Sequence, residues 1–524
     1  MPDIVVYGGE LAGVAAALAA ARRAPEGTGV ALVFPERAPG GVVTQGGLCA
    51  WERREWQHGG RRADPQAGSF RRWLEAFGPV FDPARAASAL ASELAAAGVR
   101  VFADHEIEAV RGPAVGGGRG RTRRRRGPGA LPEIAAVRVR PLTPGADGAA
   151  VLVPPTEGGE GAEAPEAAPA LEFEGAVFID GSATGRLARL AGLPLSVGRA
   201  DWNPDGRQMA PSLLVAVEGV DWEAVQAARD GQERPVWGTA VEESPDGPHR
   251  VFWGGAGIAA NDAVLQAFAI AHPGFRVGAP RAWEEGGGVY WVSALLAHNV
   301  DGRRRAYDAG SERDCEPVPP LSRDLDAATR EAQALARSSD LLGALRRFPG
   351  LGHVRLAERD GQSRVGDVLL LRETVHGMGP GPDHFAVTVE DLTGAGAGPG
   401  EGRDERHRAR RIGLGFAWLE NVGYTHGEVT PTTAAGTNPA YLPLEAILAP
   451  PVANLLVPGY AARVESRAWW ALRTAPNQCV LGDAAGIAAA YSLREGVPVA
   501  RFGNAEVAAV QSWLQAAGAV LDKW

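Results

Sequence analysis

Three cysteines, three methionines and seven tyrosines are all that the 524 residues contain of these types, and lysine is nearly absent. Cys49, Cys315 and Cys479 lie far apart and no C-x-x-C occurs. That predicts neither a disulfide framework nor a zinc site, and no His/Cys/carboxylate spacing suggests any other metal. Such cysteine usage fits a reducing compartment, which points to the cytoplasm. No apolar run is as long as a membrane span. The first strand begins by Asp3, so no secretory leader is expected. There is no G-x-S-x-G nucleophile motif, and no period of 20–50 residues that would signal a solenoid. Positive charge is also in deficit: the net charge of −9 argues against nucleic acid or an anionic membrane as partner. One basic run, Arg119 to Arg126, stands apart. It lacks the interleaved aromatics on which bases stack, so it reads as a solvated hairpin loop.

What the chain does have is glycine, 70 residues of it, and a 45% hydrophobic content that supports a large core. Its length suits about two to four domain-sized units. Ile4-Val5-Val6-Tyr7-Gly8-Gly9-Glu10-Leu11-Ala12-Gly13 reads as a buried strand, a glycine turn and a helix start. A second apolar run, Val30 to Phe34, completes a strand-helix-strand unit of the size that binds dinucleotides. In such units a pyrophosphate sits on free N–H groups at the helix N-terminus, where the helix dipole favours an anion. The usual G-x-G-x-x-G is altered here, with Glu10 at the middle glycine.

Along the chain, Pro39 to Leu48 is a glycine-rich loop. Asp82 and Pro83 cap a helix from Ala84 to Ala97, closed by Gly98. Strands are predicted at 99–102, 107–110, 133–142, 149–153 and 171–179, separated by mobile loops at 112–132 and 143–170. Asp180-Gly181-Ser182-Ala183-Thr184-Gly185 follows the last strand. From about Ser196 to Pro439 strands and helices mix and tryptophan is frequent, as in an inserted α+β domain. Trp237, Trp253, Trp283 and Trp291 are assigned to its core. The first texture returns at Tyr441, with a strand and glycine turn at Asn454 to Gly459. Gly482-Asp483-Ala484-Ala485-Gly486 is read as the opening of an Ala-rich helix, and Asn504 to Ala517 as a final amphipathic helix. The boundaries expected are 1–200 and 440–524 for one domain built from both ends, and 201–439 for the insertion.

This series of motifs resembles the FAD-dependent oxidoreductases of the glutathione-reductase-like flavoprotein fold, in their xanthan-lyase-like subgroup. Gly8-Gly9-Glu10-Leu11-Ala12-Gly13 fits the family's opening, where a non-glycine third residue is normal. Gly40-Gly41 and Thr44-Gln45-Gly46-Gly47-Leu48 fall in step with its second loop. Val177 to Asp180, Leu371-Arg372-Glu373-Thr374, and Arg473, Pro476 and Gly482 to Gly486 match later stretches. The resemblance implies an α/β fold, a Rossmann-like FAD-binding domain with a β-meander, and an inserted α+β substrate or cap domain.

It also implies FAD as cofactor, held by Gly8, Gly9, Glu10, Gly13, Glu36, Gly40, Gly41, Gly46, Gly47, Asp180, Gly459, Gly482, Asp483, Ala485 and Gly486. The 46–47 loop would lie against the isoalloxazine ring and the Gly482–Gly486 helix start at its pyrimidine end. Three positions depart from the family. Phe34 stands where it has an acidic residue for the adenosine ribose, leaving Glu36 to substitute if the loop bends back. Glu10 adds negative charge near the pyrophosphate, and Thr184 replaces an aspartate. Ser466 lies about where many members carry a histidine.

Arg372, Thr374 and His376 would share one face of a strand and so bind a substrate anion and move a proton; Arg473 is a further anion-binding candidate. His58, His298 and Tyr441 are expected to be merely packed or solvated. The expected activity is hydride transfer from a small organic substrate, carboxylated or sugar-like, to FAD. The alternative is a degenerate member that keeps the fold as a non-catalytic binding or scaffold protein. No signal sets the oligomeric state.

Overall fold

The structure is a computed structural model, and it describes residues 2–58, 61–63, 66–112, 131–144, 150–152, 170–230, 237–308, 322–377, 385–394, 403–425, 428 and 436–523. The basic run Arg119 to Arg126 and Cys315 lie outside the described residues.

Four-residue runs buried on both faces, apolar but for Asp180, make the central strands, as a parallel sheet covered on two sides requires. β1 (Ile4–Tyr7) lies in the middle, flanked by β2 (Val30–Val33) and β4 (Val177–Asp180); β3 (Arg100–Phe102) and β5 (Leu455–Leu456) form the edges. The order is β5-β4-β1-β2-β3 and every pairing is parallel. Both ends of the chain therefore build one sheet. A smaller antiparallel sheet, His105–Arg111, Ala136–Pro144, Ala150–Leu152 and Leu171–Glu174, stands between β3 and β4 in sequence.

Between β4 and β5 the chain builds a six-stranded antiparallel sheet. Its order is Trp237–Ser244, Gly247–Gly254, Phe275–Gly286, Val289–Ala297, Ser212–Glu218 and Arg355–Leu356. Trp237, Trp283 and Trp291 are buried in it, whereas Trp253 is 43% exposed. One hydrophobic cluster runs from this sheet into the parallel one. Strand Arg411–Gly415 pairs with Ala440–Pro443, so hydrogen bonds link the stretches on either side of residue 439.

Two helices cross at the heart of the first unit: α1 (Leu11–Arg23) and α2 (Ala475–Glu495). Here the expectation for Gly482, Asp483, Ala485 and Gly486 is corrected. These residues lie inside α2, well past its start at Ala475, so they offer no helix N-terminus to a cofactor. The two glycines serve helix packing: a Cβ on Gly482 would stand 2.3 Å from the Ala12 carbonyl oxygen, and one on Gly486 2.2 Å from that of Ala16. Asp483 and Ala485 are buried too. The Asp483 carboxylate accepts hydrogen bonds from the backbone and hydroxyl of Ser69, and burial raises its pKa to about 6.

Helix ends follow local chemistry. Asp82 caps Pro83–Ala96 by accepting from the Ala84 and Arg85 N–H groups. Residues 256–271 form two helices, Ala256–Asn261 and Ala263–Ala271, because Asp262 takes an extended conformation and caps the second. Gly486→Leu, forced against the α1 backbone, is expected to cost about 3 kcal/mol or more. Gly343→Ala, inside helix Ser339–Leu345 with nothing within 4 Å of the new methyl, should be neutral or stabilise by about 0.5–1 kcal/mol. Urea denaturation midpoints of the two variants check the contrast.

Candidate cofactor and substrate site

The two βα turns of the sheet touch, and their contact shapes the site. Gly8 sits at φ +109°, and a Cβ on it would lie 2.5 Å from the Ser182 nitrogen. Gly13 fits its helix under the Gly8 carbonyl, 2.0 Å from where its own Cβ would be. Gly459 closes on Ser182 in the same way. Backbone packs on backbone at all three points, and only glycine fits such contacts. Gly13 and Gly459 thus shape the turns but do not line the cavity above them.

That cavity has a volume of about 340 Å³. Its floor is Tyr7, Gly8, Gly9 and Glu10 from the first turn and Ser182, Ala183 and Thr184 from the second. Pro35, Glu36 and Arg37 border it after β2, while Arg305, Asp326, Arg330 and Asp367 come from the inserted part of the chain. The chain therefore bends so that Glu36, not Phe34, faces the cavity. The Phe34 ring is fully buried beneath Gly9, 2.9 Å from where a Cβ there would stand.

Glu36 and Arg305 approach to 3.4 Å, and Arg305 also pairs with Asp326 at 2.9 Å. Burial raises the Glu36 pKa, opposed by Arg305. Glu10 turns away from the α1 terminus onto the next loop: its carboxylate fills the space a Gly41 side chain would need and accepts from the Val42 backbone. Burial, then the nearby Glu36 charge, raises the Glu10 pKa to about 8, so near neutral pH it is mostly protonated. Five carboxyl groups and three guanidiniums line the cavity. Three of the five, Glu10, Glu36 and Asp367, have pKa values raised first by burial, which tempers the negative field facing a pyrophosphate.

Several expected cofactor residues have other work. Asp180 is fully buried. One oxygen accepts from the Ser182 N–H and hydroxyl and the other from Ala188 N–H, so it shapes the second turn and does not line the cavity. Gly40 donates to the Gly9 carbonyl at 2.7 Å, tying the 40–48 loop to the first turn. Gly41 gives room to Glu10, and Gly46 packs on Val42. The face of Gly47 is taken by the Trp291 indole, 2.3 Å from a Cβ placed there, so that face is closed to a flavin ring. None of these four lines the cavity.

The expected face shared by Arg372, Thr374 and His376 does not form, because only Val375–His376 is a strand and the three side chains go to different partners. Arg372 donates to the Ala210 carbonyl at 3.0 Å and the Ser212 hydroxyl at 3.1 Å. Thr374 donates to the Ala183 carbonyl at 2.7 Å. His376 is fully buried and bonded to Glu373 at 3.1 Å, and Ser466 also donates to that carboxylate. His376 is therefore enclosed in a packing network, away from the cavity lining. Arg473 binds Glu420 at 2.7 Å, and Arg281 binds Glu420 at 2.8 Å and Glu52 at 3.1 Å.

Sequence reasoning missed Ser182, Arg305, Asp326, Arg330 and Asp367. Ser182 sat in a stretch already singled out. The other four come from helices and loops of the insertion, whose local pattern carries no nucleotide signal.

The family model for FAD dependent oxidoreductases matches residues 3–122 and 151–514. The chain belongs to this family. FAD is its cofactor, and the family's chemistry makes it an FAD-dependent enzyme. No curated protein matches. Among solved structures, a geranylgeranyl bacteriochlorophyll reductase-like protein from Thermoplasma acidophilum is 11% identical, covering 98% of this chain and 83% of that one, with a TM-score of 0.38. The myxobacterial chondrochloren halogenase CndH is 14% identical, covering 71% and 64%, with a TM-score of 0.31. A variant of the halogenase PltM in complex with FAD is 10% identical, covering 98% and 74%, with a TM-score of 0.35. Likenesses this distant carry no argument about chemistry.

The residues present fit the cofactor. Gly8 and Gly9 bring bare backbone to the cavity, α1 begins at Leu11 directly after this turn, and the Glu36 carboxylate borders the same cavity.

Glu10 gives a pH test. Its folded pKa of about 8 lies above the ordinary 4.5. The folded state thus holds a proton that the unfolded state has lost, and the stability linked to Glu10 is full below about pH 4.5 and falls as pH rises to about 8. Glu10→Gln removes that loss, by at most about 1.4 kcal/mol per pH unit for one group. Denaturant unfolding of both proteins at pH 5, 6.5 and 8 should show the variant gaining on the wild type as pH rises; a constant difference would contradict the assignment.

Proposed function

We propose that the protein moves a hydride from a small organic substrate to FAD, in the manner of the xanthan-lyase-like subgroup. The observation that carries this reading is the meeting of Gly8, Gly9 and Ser182 to Thr184 in one cavity with Glu36 at its border. FAD, when bound, supplies the hydride acceptor.

The chain's own residues position and insulate. Gly8, Gly9 and the first turn of α1 hold the pyrophosphate on free N–H groups. Glu36 accepts the ribose hydroxyls, a role that the phenyl ring of Phe34 is unable to fill. Protonated Glu10 braces the 40–43 loop without placing full charge beside the phosphates. Arg372 and Arg473 orient the substrate. His376 has no part in proton transfer, since it is enclosed and bonded to Glu373.

A second reading is a non-catalytic member of the same fold, favoured by the excess of acids over bases around the cavity. The visible spectrum of the purified protein separates the two. The enzyme reading predicts a yellow protein, or a colourless one that takes up added FAD and shows oxidised-flavin absorbance. Glu36→Ala should then weaken FAD binding by about tenfold or more, the loss of charge-assisted hydrogen bonds. Colourless protein that takes up no FAD would sink the enzyme reading.

A further inference from the structure

Arg372 is a buried cation, 5% exposed, with no carboxylate partner among the described residues. It bonds only a backbone carbonyl and a hydroxyl, and its Nε–H has no partner. Burial, then the neighbouring Arg473 charge, lowers its pKa to about 10, which leaves it charged at neutral pH. An isolated buried charge is expensive, and folded proteins normally pair it.

Its neighbours do not supply the missing charge. Glu420 and Glu52 are engaged by Arg473 and Arg281. Burial would raise the Glu420 pKa, but Arg281, Arg473 and Arg372 outweigh it and hold the group well below the ordinary carboxylate range. Three guanidiniums thus face two carboxylates, an excess of one positive charge. The Nε–H of Arg473, 6% exposed, is also unpartnered.

The cluster reaches solvent and adjoins a residue of the cavity lining. The Arg281 side chain is 38% exposed and that of Glu420 24%. Leu371, next to Arg372, lines the cavity, and the Tyr460 hydroxyl donates to its carbonyl at 2.8 Å. That hydroxyl feels Glu10 as well as Arg473 and Arg372.

We propose that Arg372 and Arg473, backed by Arg281, form an anion subsite that takes the single carboxylate of a small organic acid, the substrate of the flavin site. The assignment rests on the flavin reading for its role in catalysis. The excess of one charge matches a monoanion, and guanidinium N–H groups match carboxylate geometry.

The test is calorimetric titration of the purified full chain with acetate and benzoate, and with their neutral counterparts acetamide and benzamide. The FAD content of the same sample is read from its visible spectrum. At least one carboxylate should bind with unit stoichiometry while its amide does not. Arg372→Met should weaken that binding at least about tenfold, the loss of a charge-assisted contact. Glu420→Gln, which frees donors and adds a net positive charge, should tighten it several-fold, and it serves if Arg372→Met does not fold. Equal binding of acid and amide, no carboxylate binding at all, or Glu420→Gln leaving the affinity unchanged overturns the subsite. Carboxylate binding in a sample that takes up no FAD would uphold the subsite and sink the flavin reading. FAD with no carboxylate binding would sink the subsite alone.

Discussion

Close contact of bare backbone is the constraint on which the rest depends. Gly13 lies under the Gly8 carbonyl, Gly181 packs on Gly13, and α2 meets α1 at Gly482 and Gly486. Each contact would be blocked by one methyl group. Together they draw β1, β4, α1 and α2 close enough for two βα turns to share one cavity floor. The alanine-rich faces of both helices are the extension of this constraint, because small side chains allow the same close approach along several turns.

Charge is then handled in two ways around that scaffold. On the cavity side, acids outnumber bases, and burial moves several toward their neutral form while Arg305 holds Glu36 and Asp326. On the far side of Leu371 and Tyr460, the balance reverses and Arg372 is left without a counter-ion. The chain between β4 and β5 supplies Arg305 to the first region and Arg281 to the second, so it contributes to the site and does not merely cover it.

Much of the fold was legible in sequence. The period and length of β1, α1 and β2 are local properties, and similar texture returns after Tyr441, where β5 joins the sheet built by the start of the chain. The site was legible only in part. Gly8 and Gly9 stand in a motif of fixed spacing and line the cavity; Glu36 lies two residues past the motif position held by Phe34, and it borders the cavity only because the chain bends there. Gly482 to Gly486 misled because a glycine pair looks the same in sequence whether it opens a helix or lets two helices touch; only the position of the true start, Ala475, decides. Asp180 stands at the end of β4 as the motif has it, but its carboxylate is turned inward to three hydrogen bonds of its own loop. The Arg372 to His376 stretch misled through periodicity: alternation predicts a shared face only where the strand continues, and here it is two residues long. Arg305 and Asp326 lay beyond local reading, since they meet Glu36 only after the insertion folds.

The central claim is that a cavity between two touching turns receives the cofactor, with Glu36 replacing the acid that Phe34 displaced. A crystal structure of the FAD-loaded protein tests it most directly. The account predicts the pyrophosphate at Gly8, Gly9 and the first turn of α1, and the adenosine ribose hydroxyls within hydrogen-bond distance of the Glu36 carboxylate. A cofactor whose ribose contacts neither Glu36 nor its flanking residues, or whose phosphates lie away from the α1 terminus, would contradict it.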